Sequence, residues 1–79
     1  MNDFEKVREG LWSVLMYGIL PKLGVYPVTA KAVNDLIGEC TNAATLEQLA
    51  HIAHKALPCI PGDMSNEDCE LLTLISVRG

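Results

Sequence analysis

Apolar residues in this chain return every three or four positions between well-marked stops, and no stretch alternates apolar with polar as a half-buried strand would. That periodicity confines the fold to helices. Pro21, Pro27, Pro58 and Pro61 interrupt the pattern, and start signals stand at Asn2 with Glu5, at Thr29, at Thr45 with Gln48, and at Ser65 with Asp68. They divide the chain into helices over about residues 3–20, from Thr29 to about Cys40, over about residues 46–57, and onward from Ser65. The expected fold is all-α: a compact bundle of about four short helices, forming one domain over residues 1–79.

The expected faces differ from helix to helix. In the first, Phe4, Val7, Leu11, Val14 and Leu15 share one side and Lys6, Glu9 and Ser13 another. Its second half has no polar side, because Trp12, Met16, Tyr17, Ile19 and Leu20 spread around the circumference. A helix apolar all round is buried on several sides or meets another chain. The second helix is amphipathic, with Ala30, Ala32, Val33, Leu36, Ile37 and Cys40 opposite Lys31, Asn34, Asp35, Gly38 and Glu39. In the third, Leu46, Leu49, Ala50, Ile52, Ala53, Ala56 and Leu57 oppose Glu47, Gln48, His51, His54 and Lys55. The fourth carries Leu71, Leu72, Leu74, Ile75 and Val77, leaving mainly Glu70 and Thr73 for water.

With 49% hydrophobic residues in 79, the chain holds more apolar surface than so small a core readily absorbs. Exposed apolar patches mark interfaces. Ten acids against six scattered bases leave a net charge of -4, which disfavours direct nucleic-acid binding because that needs a concentrated positive footprint. The apolar run from Leu11 to Leu20 follows Asp3, Glu5 and Glu9 rather than positive charge, and it is too short to span a bilayer. Cys40, Cys59 and Cys69 lack the spacing of a disulfide framework or a zinc knuckle. A cytoplasmic protein with free thiols, no membrane segment and no cofactor is expected.

Chemistry-bearing residues concentrate in the third helix. Glu47, His51 and His54 share its polar side and are types that bind zinc, but the H-E-x-x-H spacing is absent. A Cys59 nucleophile with His54 as base lacks an oxyanion-hole glycine pattern and an orienting third group. The acids Asp63, Glu67, Asp68 and Glu70 do not follow the order of a calcium loop, and helix capping explains them. The second and third helices have helix-turn-helix size, which makes Gln48, His51 and Lys55 candidate base readers, yet Lys55 is the only base there.

The leading expectation is therefore a non-enzymatic protein-interaction module that binds and masks a surface of another macromolecule. Its expected contacts are Trp12, Met16, Tyr17 and Tyr26, with Glu47, His51, His54 and Lys55. The expected partner is a protein, including a second copy in a homodimer. Small size, acidity and the lack of a catalytic motif suit, by analogy, a phage or mobile-element accessory protein that inhibits a host defence complex, as anti-CRISPR proteins do. The alternatives are a ligand- or metal-binding helical domain using Glu47, His51 and His54, and a helix-turn-helix-like DNA-binding regulator.

Overall fold

A computed structural model describes residues 3–24 and 27–77. Four α-helices, α1 (Asp3–Ser13), α2 (Pro27–Asn42), α3 (Leu46–Ala56) and α4 (Asn66–Ser76), form an all-α bundle, with no strand among the described residues. The start signal at Asn2 lies outside the described residues.

The caps legible in the sequence set two helix starts. Thr45 Oγ1 accepts the Gln48 N–H at 3.1 Å, and the Gln48 side chain reaches back to the Ala44 N–H at 2.6 Å. This capping box closes one residue earlier than the usual form, on the residue before the N-cap. Ser65 Oγ likewise accepts the Asp68 N–H at 3.2 Å. At α2 the expectation shifts: the helix begins at Pro27, and Thr29 lies inside it. Proline suits a first helical position, where its missing N–H costs nothing and its fixed φ is already helical.

The first helix does not run as α-helix to residue 20. It becomes a π-helix over Val14–Ile19 and a 3-10 turn over Leu20–Leu23, and the Leu20 N–H donates to the Leu15 carbonyl. Pro21 supplies the cause. Its ring has no N–H and, in a regular helix, meets the carbonyl four residues back. Widening the preceding turn and tightening the following one carries the chain past that clash. Gly18 lies within the widened stretch and lets it approach α4, since a Cβ there would sit 3.0 Å from Asp68 Oδ2.

The apolar circumference of this segment is buried from several sides. α1 packs on α2, α3 and α4, and the π-helical stretch packs on α2 and α4. Leu11, Leu15 and Ile19 have no exposed surface, and they join Val33, Cys40, Leu49, Leu72 and Ile75 in one core cluster. α3 ends at Ala56 and tightens into a 3-10 turn, Leu57–Cys59. Lys22 Nζ donates to the Asp63 carbonyl at 3.0 Å and ties the turn after the π-helix to the loop before α4.

On α4 the structure corrects the sequence expectation. Leu72 and Ile75 are buried, but Leu71, Leu74 and Val77 are exposed. The five apolar residues span roughly 220° of the helix circumference, more than a single buried side of a helix takes up. Ala32 of α2 is also exposed rather than part of the apolar half.

Candidate interaction surface

Three surface regions hold the residues of interest. On the first segment, Trp12 is half-buried and meets Tyr17 edge-on, with centroids 5.7 Å apart and planes at 78°. Tyr17 itself is 70% exposed. Met16 is half-buried and packs against the core. Trp12, Arg8, Glu9, Ser13 and Thr41 line a depression of about 470 Å³. The Arg8 guanidinium stacks over Phe4, 5.4 Å from the ring centroid. Tyr26 lies outside the described residues.

The polar side of α3 forms the second region. Glu47, His51 and His54 are exposed. Glu47 and His51 line a depression of about 880 Å³ with Glu39, Gln48, Asn42 and Ser76, whereas His54 is not part of it. Lys55 is held by Glu39 of α2 at 3.2 Å, so its charge is already matched within the chain. Trp12 on the first segment and Glu47 with His51 on α3 thus line separate depressions.

This geometry bears on the chemistry weighed from sequence. Among the described residues, no three of His, Cys, Asp and Glu are placed to hold a metal ion. Gln48 is engaged in the α3 cap and Lys55 in an ion pair, so two of the three candidate base readers are occupied. Cys59 is half-buried while His54 is exposed, and no hydrogen bond joins them. Cys40 is fully buried, and its thiol donates to the Arg8 carbonyl at 3.6 Å. Burial pushes that thiol from its ordinary 9.0 up to about 11, against the opposing pull of the Arg8 charge. It packs within the core cluster.

The third region was missed in the sequence. Leu74 and the C-cap residue Val77 are 60% and 73% exposed on the outer side of α4, and Leu71, 37% exposed, stands at the edge of that side, where a Cβ on Gly10 of α1 would sit 3.5 Å from its Cδ2. Their spacing of three forms a continuous row on a helix surface. The signal was present: five apolar residues within seven positions overfill one face of a helix. Glu67 and Glu70 are exposed on the same side, within roughly 20 to 40° of Leu74 around the helix. Compared with protein-family models, with curated proteins and with solved structures, the chain matches none.

Proposed function

We propose that this chain is a non-enzymatic protein-interaction module that binds and masks a surface of another macromolecule. The α4 row of Leu71, Leu74 and Val77 carries this reading. Leaving such side chains in water forfeits their burial energy, and contiguous apolar surface of this kind is typical of contact sites. The exposed Tyr17, and Glu47 and His51 beside their depression, are further candidate contacts. Among the described residues no helix is long and apolar enough to cross a membrane.

The setting we attach to this activity is a phage or mobile-element protein acting on a host defence complex. It rests on size, acidity and the lack of a catalytic motif, not on geometry. The test is capture from an extract of cells that carry the protein, using the wild type and Leu74→Gln as baits at equal folded fraction. The wild type is expected to retain a protein that Leu74→Gln loses. Retention of the same set by both baits would remove the α4 row from the binding surface and leave the proposal without its main support.

A further inference from the structure

The chemistry around the α4 row points to the kind of partner that covers it. Three exposed apolar residues at a spacing of three make a row that fits the groove between side-chain rows of another helix. Acids flank that row. Glu67 and Glu70 are exposed and have no ion-pair partner among the described residues, and α4 contains no base. Favourable interaction with the helix dipole accounts for Glu67 and Asp68 in the first turn, but not for Glu70, which lies beyond it beside Leu74.

Building on the masking function above, we infer that the Leu71, Leu74 and Val77 row, with Glu67 and Glu70, receives a basic amphipathic helix of a partner protein. Its apolar side chains pack between Leu71, Leu74 and Val77, while its Lys or Arg residues meet the two glutamates. The charge that attracts such a helix repels the other candidates. A second copy would bring the same acids toward each other on a chain of net charge -4, and an anionic membrane or nucleic acid meets the same repulsion. Charge complementarity also makes the contact dependent on salt.

The experiment uses the full chain and two labelled synthetic helices. One has leucines along one side flanked by lysines; its twin has glutamates in place of the lysines. Fluorescence anisotropy should report one-to-one binding of the lysine peptide and at least about tenfold weaker binding of its twin. The double variant Glu67→Lys, Glu70→Lys should reverse that preference. Leu74→Gln should weaken the lysine peptide by about tenfold with an unchanged melting temperature, which separates lost contact from lost folding. Equal binding of both peptides, an unreversed preference, or indifference to Leu74→Gln overturns the inference. Self-association of the free chain that Leu74→Gln abolishes also overturns it, by assigning the row to a second copy. If the peptides fail while capture still yields a Leu74-dependent partner, the masking function stands and only the basic helix falls.

Discussion

Cys40 shows how one buried side chain links packing to pH. Its thiol has no exposed surface, its proton is aimed at the Arg8 carbonyl, and burial favours the neutral form. Between pH 9.0 and about 11 the unfolded chain releases this proton while the folded chain keeps it. The unfolded state therefore binds fewer protons there, so stability falls as pH rises through the window and is fully present below it. The loss is on the order of 3 kcal/mol when complete. Denaturant titrations of the wild type and Cys40→Ala at several alkaline pH values should show a steeper decline for the wild type. Parallel slopes would mean that Cys40 ionises as easily folded as unfolded.

At the scale of the element, α4 has two apolar sides with different jobs. Leu72 faces the core and Leu74 faces outward, two positions apart. Leu72→Ala should cost about 2 to 5 kcal/mol, because it leaves a cavity among residues that cannot fully close around it. Leu74→Ala should change stability by no more than about 0.5 kcal/mol. Chemical denaturation of the two variants measures the difference, and similar losses would mean that α4 is rotated from the orientation described. The π-helical stretch carries a comparable division. Val14, Leu15 and Ile19 turn inward, and Tyr17 stays outside against Trp12.

For the whole molecule, the placement of the first segment decides what surface is left. Packed by α2, α3 and α4, it buries much of its apolar circumference, leaving Tyr17 outside, and further uncovered apolar side chains stand at Val28 of α2 and along α4. The charge around the α4 row opposes pairing with a second copy, so the free chain should be monomeric when dilute. Small-angle scattering should then give a radius of gyration near the 11.5 Å of the backbone, slightly enlarged by side chains and hydration. A compact dimer would be roughly 1.3-fold larger. Such a value at the lowest usable concentration would contradict the charge argument and point to self-association as the first use of the exposed row.

The sequence by itself determined that the chain forms four α-helices and where α3 and α4 begin, because those start signals are local, whereas the π-helical stretch over Val14–Ile19 and the start of α2 at Pro27 were not read from it. Thr45 and Ser65 bond to N–H groups three residues on, and prolines act on their own turn, so no distant contact is needed to place those boundaries. It also determined that Cys40 is interior and that Glu47, His51 and His54 are exposed, since α2 and α3 each have one apolar side. Where apolar residues exceed one side, local pattern no longer discriminates. The first segment and α4 both present that excess, and only tertiary packing decided that the first buries Leu11, Val14, Leu15 and Ile19 and leaves Tyr17 outside, while α4 leaves Leu74 and Val77 exposed and Leu71 partly so. The pairing of Lys55 with Glu39 and the approach of Gly18 to Asp68 are likewise contacts between distant parts of the chain. Burial is a competition among all helices for one small core, and its outcome depends on how they are arranged together, which no window of sequence contains.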